Sequence, residues 1–285
     1  MTRRTFFPAM TAAGAVSAVA FQDSDQPVRR KGRLKQSVTN GVFLRGRSLE
    51  DNARDAARLG AKGYDLIGPK DWPILKKYGL VPAMVPGFGG TIPDALNRKE
   101  NHDAIEKSMH AGIDLCAQEG APNLITFSGN RRGMADAEGA DNCVLFLNKV
   151  KAHAEEKGVT ICMELLNSKV NHKDYMCDHA PWGVEVVKRV NSPRVKLLYD
   201  IYHMQIMDGD IVRTIRENIQ YIAHFHTGGV PGRHEIDDTQ ELNYRFVARS
   251  IADLGFTGFI AHEYSPAQGR DALKSLEQAM EIVDV

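Results

Sequence analysis

From Leu34 onward, short apolar runs alternate with longer amphipathic segments. The first run, LKQSVT (34–39), is followed by SLEDNARDAARLG, where Ser48 and Asp51 form a capping-box-like helix start and Gly60 a stop. YDLIG (64–68) precedes a short helix near 71–78, and LVPAMV (80–85) a helix near 101–119. NLITFSG (123–129), VTICMEL (159–165) and VKLLYD (195–200) precede helices near 138–157, near 181–190 and from about Asp210. IAHFHT (222–227) precedes a helix near 240–254. GFIAHEY (258–264) precedes the last helix, where Ala272, Leu273, Leu276, Met280 and Val283 share one face. These are eight strand–helix units, and several strands are apolar on both sides, as parallel strands covered by helices must be. The pattern predicts an α/β fold, a closed (β/α)8 TIM barrel. The competing doubly wound open sheet lacks a G-x-G-x-x-G after its first strand.

The first residues do not fit the alternation. TRRTFF precedes the small, apolar run PAMTAAGAVSAVA, which ends in Ala18-Val19-Ala20. That is a basic region, a short apolar region and an A-x-A cleavage site. Arg3-Arg4 with Phe6 nearby is similar to the twin-arginine export signal. Residues 1–20 are therefore expected to be a signal peptide, 21–33 a polar linker and 34–285 the catalytic barrel. The mature chain is expected to be exported, to the periplasm, without a stable membrane span, because the apolar run is too short to cross a bilayer.

Composition narrows the function classes. The 285-residue chain carries 36 basic and 36 acidic residues, so no global field recruits nucleic acid or an anionic membrane. A small-molecule enzyme or binding protein is the default, with homo-oligomerisation left open. Cys116, Cys143, Cys162 and Cys177 show no C-x-x-C spacing and read as buried free thiols.

In such a barrel, chemistry gathers at the C-terminal strand ends. The last four strands end in Glu164, Asp200, His226 and Glu263. A lone acid at a strand end commonly caps a helix or pairs with a lysine. Four potential ligands on consecutive strands are different, because adjacent strands lie about 4.8 Å apart and their rim side chains converge. Three carboxylates so close repel one another unless a cation neutralises them. Oxygen ligands with one imidazole suit one divalent ion, Mn2+ foremost, with Co2+, Mg2+ or Zn2+ as alternatives.

His203 is read on the loop just past strand six, beside the cluster. His224 points the same way as His226 along its strand, whereas His262, next to Glu263, faces outward. The long loop GGVPGRHEIDDTQELNY carries Arg233, placed to hold a polyhydroxy or anionic substrate. Asn243 and Glu241 are expected to cap or brace the next helix. Trp182 and Tyr202 are single aromatics that can stack on a sugar face.

YDIYHMQIMDGD (199–210), PGRHE (231–235), ELNY (241–244) and GFIAHEYSP (258–266) resemble motifs of a known family. It is the hydroxypyruvate isomerase-like branch of the xylose isomerase-like TIM barrels, which includes sugar isomerases and ketose 3-epimerases. The resemblance covers roughly 34–283 and is densest in the C-terminal half. It implies that Glu164, Asp200, His226 and Glu263 bind one divalent metal and that His203 and Arg233 contact a small carbohydrate substrate. There are departures. The isomerases have Gln where His226 stands, and the epimerases have His. Gly68 stands where the family often has an acid at the end of strand two. No proline follows Glu164.

The expected activity is metal-dependent isomerisation or epimerisation of a sugar-like α-hydroxy carbonyl compound, through an enediolate, with Glu164 and Glu263 exchanging the proton. The alternatives are a lyase acting on 3-keto glycosides, a non-catalytic sugar-binding protein and a multi-zinc nuclease of the endonuclease IV type. The nuclease is disfavoured by the neutral charge.

Overall fold

The computed structural model describes residues 27–285. The expected signal peptide and the first part of the linker lie outside the described residues. Eight parallel strands close into a barrel in chain order. They are β1 (Lys35–Val38), β2 (Gly63–Asp65), β3 (Val81–Gly89), β4 (Asn123–Thr126), β5 (Thr160–Glu164), β6 (Val195–Asp200), β7 (Ile222–Thr227) and β8 (Phe259–His262). The helices between and after them are α1 (Leu49–Arg58), α2 (Trp72–Lys77), α3 (His102–Glu119), α4 (Asp136–Lys157) and α5 (Ala180–Val190). They continue with α6 (Ile201–Met207), α7 (Ile211–Asn218), α8 (Tyr244–Asp253) and α9 (Ala272–Val283). β1 pairs with both β2 and β8, which closes the sheet.

The alternation of apolar runs and amphipathic segments is what this layering requires. A large buried cluster between barrel and helices includes Val38, Trp72, Phe146, Leu197, Phe225 and Leu276. A smaller one fills the barrel with Met84, Ile125, Cys162 and Leu198. Cys162 and Glu164 lie two residues apart on β5, so one plugs the barrel while the other tops it. All four cysteines are buried free thiols, as expected. No helix among the described residues is long and apolar enough to cross a membrane.

Caps fix several helix starts. The Ser48 hydroxyl accepts from the Asp51 amide at 3.1 Å, and the Asn243 side chain accepts from the Phe246 amide at 3.0 Å. Gly60 ends α1 with φ +96°, and a Cβ there would lie 2.8 Å from the Val28 carbonyl oxygen, so only glycine fits.

Several boundaries differ from the sequence reading, two of them beside the barrel mouth. Strand two ends at Asp65 rather than running to Gly68, because its pairing with β3 shifts register after Tyr64 and Leu66 turns left-handed at φ 61°. The segment after β6 is a helix rather than a loop. Asp200 caps it by accepting from the His203 amide at 3.0 Å, which sets His203 in the first turn of α6.

Candidate metal and substrate site

Glu164 and Asp200 are the last residues of β5 and β6, His226 is the penultimate residue of β7, and Glu263 follows β8. Ligand atoms of all four lie within 4.8 Å of one another. Asp200 and His226 are register partners across β6 and β7. From His226 Nδ1, the distances are 2.5 Å to Glu263 Oε2, 3.4 Å to Glu164 Oε1 and 4.0 Å to Asp200 Oδ2. His226 is fully buried, and its Nδ1 makes no hydrogen bond of acceptable geometry. A buried imidazole nitrogen facing three carboxylates without a hydrogen bond fits a cation ligand.

The other ring nitrogen is held from below. His226 Nε2 lies 3.1 Å from Asp65 Oδ2, and His224 Nε2 lies 2.6 Å from the same oxygen. Ser37 donates to the other Asp65 oxygen. Asp65 accepts a hydrogen bond from His226 Nε2 and leaves Nδ1 facing the carboxylates, the carboxylate–histidine arrangement common behind metal ligands. Sequence reasoning missed Asp65, although an acid inside the apolar run YDLIG was the available signal. His224 faces the barrel interior with His226, as expected. His262 faces away, between Gln36 Oε1 at 3.0 Å and Thr227 Oγ1 at 3.2 Å.

Arg233, with φ 57°, extends over the cluster. Its Nη2 lies 2.6 Å from Asp200 Oδ2 and 2.7 Å from Glu263 Oε2, and its guanidinium carbon sits 5.2 Å from the Tyr202 ring centre. The carboxylates thus have a cationic partner at the mouth of the site. Tyr202 takes part in this stacking. Trp182 does not reach the site: it lies on α5 and donates to the Asp136 carbonyl oxygen.

The buried charges perturb one another. Burial raises Glu164 to about 7 against the pull of His226. Burial would also raise Glu263, but His226 and Arg233 outweigh it and hold that carboxyl below its ordinary range. His226 would be depressed by burial, yet Glu263 and its acidic neighbours raise it well above the usual imidazole range, so a cation bound at Nδ1 would displace a proton from it. His203 is fully buried, and burial together with Arg233 depresses it strongly.

His203 Nε2 lies 3.7 Å from Asp200 Oδ2 and has no hydrogen-bond partner. The structure therefore brings all six sequence-chosen residues together, with two additions: Asp65, and Asn167, whose Nδ2 lies 2.6 Å from His203 Nδ1. Above them opens a cavity of about 340 Å3 lined by Asn40, Leu66, Arg233, Glu263, Tyr264 and Ser265, among others.

The comparisons agree with this architecture. A 2-oxo-tetronate isomerase of Haemophilus influenzae is 28% identical over 229 residues, 76% of this chain and 87% of that protein. A putative hydroxypyruvate isomerase of Danio rerio is 35% identical over 105 residues, 37% of this chain and 38% of that protein, so this stronger local match spans well under half of the relative. Among solved structures, an AP endonuclease family 2 protein from Brucella melitensis superposes with a TM-score of 0.76 at 23% identity, over 85% of this chain and 96% of that one, which is a likeness of fold. The model of the xylose isomerase-like TIM barrel family matches residues 73–283, and the chain belongs to that family.

Proposed function

We propose that this chain is a divalent-metal-dependent isomerase or epimerase of a sugar-like α-hydroxy carbonyl compound. The observation that carries the reading is the convergence of Glu164, Asp200, His226 and Glu263, with the buried Nδ1 of His226 left without a hydrogen bond. The relatives named as hydroxypyruvate and 2-oxo-tetronate isomerases support the substrate class. The four residues would hold the ion. Their three carboxylates and one imidazole suit Mn2+ first, then Co2+, Mg2+ or Zn2+. Such an ion supplies Lewis acidity to a substrate carbonyl oxygen.

The protein's own groups do the rest. Glu263 lines the cavity and takes the proton from the carbon α to the carbonyl. The C–H electron pair moves into the carbonyl, giving an enediolate. His203 and Arg233 hold substrate oxygens by donating hydrogen bonds, and Tyr202 backs the guanidinium. Glu164 returns a proton from the carboxylate oxygen that the ion would leave free. Delivery to the neighbouring carbon, with the hydroxyl proton passing to the former carbonyl oxygen, isomerises the substrate, and delivery to the opposite face of the same carbon epimerises it.

A second reading is a lyase in which the same carbanion expels a glycosidic leaving group from a 3-keto sugar. It is favoured by a cleft of about 720 Å3 that shares Asn40, Gly41 and Ser265 with the site cavity, room enough for a leaving sugar. The twin-arginine-like N-terminus supports work outside the cytoplasm in either case. Solvent-deuterium incorporation across tetroses to hexoses, hydroxypyruvate and 3-keto glycosides tests the proposal. Deuterium at the α-carbon of intact, isomerised or epimerised substrate supports it. Release of a free sugar from the glycosides supports the lyase. No exchange and no product from the whole panel defeats both.

A further inference from the structure

His203 needs a defined tautomer to serve its site, because a neutral imidazole presents a donor on one nitrogen and an acceptor on the other. The loop after β5 sets which is which. Asn167 is fully buried. Its Oδ1 accepts from the backbone amides of Val170 at 3.0 Å and Asn171 at 2.9 Å, which fixes the amide's orientation. Turned over, its NH2 would face two N–H donors. Its Nδ2 therefore faces two acceptors, Asn171 Oδ1 at 2.8 Å and His203 Nδ1 at 2.6 Å. Asn171 Oδ1 is held in turn by the Tyr202 hydroxyl at 2.9 Å. A donor against His203 Nδ1 leaves that nitrogen no proton, so the proton sits on Nε2, the atom 3.7 Å from Asp200 Oδ2 and otherwise without a partner.

We propose that Asn167 is a positioning residue that locks His203 as the Nε2–H tautomer, making it a fixed hydrogen-bond donor to a substrate oxygen and not a base. The inference rests on the reading of the site as one for hydroxy carbonyl compounds. It deepens that reading by giving the substrate an acceptor oxygen, hydroxyl or carbonyl, next to Asp200.

The test is histidine 15N NMR on the metal-free, full-length protein, with the His203 signals identified by their loss in His203→Gln. The wild type is expected to show an unprotonated Nδ1 and a protonated Nε2. Asn167→Asp keeps the oxygen that anchors the loop and replaces the donor by an acceptor, so Nδ1 is expected to become protonated. In solvent-deuterium exchange the same variant is expected to lose about 10²–10³-fold in rate, the usual effect of removing one preorganised donor. Three results overturn the proposal: a protonated Nδ1 in the wild type, an unchanged tautomer in Asn167→Asp, or a wild-type exchange rate in that variant once its tautomer has switched. The wild-type spectrum decides even if the variant does not fold. A protein that exchanges no substrate fails the proposed function, while the tautomer still decides the role of Asn167.

Discussion

Glu263 and Asp200 belong to one cluster, and substitution separates what each does. Glu263→Gln keeps an oxygen that can ligate but removes the proton acceptor at the cavity wall. Proton exchange at saturating Mn2+ is expected to fall ~10²–10⁴-fold with a moderate loss of metal affinity. Asp200→Asn is expected to weaken metal binding first, with activity partly restored at high metal concentration. Exchange rates measured over a metal titration tell the two apart. Asp65 acts one step back: its Oδ2 holds both His226 and His224. Asp65→Asn is expected to lower metal affinity about 10–100-fold, read by calorimetry, although Asp65 is not one of the four converging ligands. The rim acids were legible because each closes an apolar run. Asp65 was not recognised, because its strand reads as running on to Gly68 and nothing in the letters shows the register shift after Tyr64. Asn167 carried no signal at all. Its role depends on a contact with His203, 36 residues along the chain, that only the closed barrel creates.

At the scale of elements, the strands were the most legible, since chain covered on both faces must be continuously apolar. Helix α6 was the least. IYHMQIM has β-branched and aromatic residues that suit a strand as well as a helix, and its seven residues are too few to be stable alone. It forms because Asp200 caps it and because Ile201, Tyr202, His203 and Met204 are buried. The start of α8 at Tyr244 rather than near 240 follows from Asn243, whose cap outweighs the periodicity before it. Caps elsewhere are separable from chemistry. The Asp271 carboxylate accepts from the Leu273 and Lys274 amides at 3.0 and 3.1 Å at the head of α9. Asp271→Ala is expected to cost about 1 kcal/mol of stability, with the melting midpoint lowered by about 2–4 °C and the exchange rate unchanged. Thermal unfolding followed by circular dichroism checks the first part and the exchange assay the second.

For the whole molecule, two buried carboxylates and the partly exposed Glu263, beside one imidazole and one guanidinium, leave the barrel mouth rich in negative charge. Binding of an ion to the folded chain alone stabilises it, by about 2.7 kcal/mol at a free concentration 100 times the dissociation constant. Divalent ions are therefore expected to raise the melting midpoint and a chelator to lower it, with Asp200→Asn responding least. The N-terminus makes a separate expectation. Changing Arg3 and Arg4 to lysine is expected to retain the protein in the cytoplasm, while the unaltered chain is recovered outside it beginning near Phe21. N-terminal sequencing of fractionated cells checks this, and an intact Met1 on a cytoplasmic protein overturns it. One titration tests whether the ligand cluster is what makes proton transfer possible. Solvent-deuterium incorporation into a reactive substrate is measured on metal-stripped protein as Mn2+ is returned, with bound metal counted at each point. Negligible exchange is expected without metal, with a rise that levels off at about one ion per chain. Full exchange in the metal-free protein, or no exchange with the site filled, would contradict that expectation.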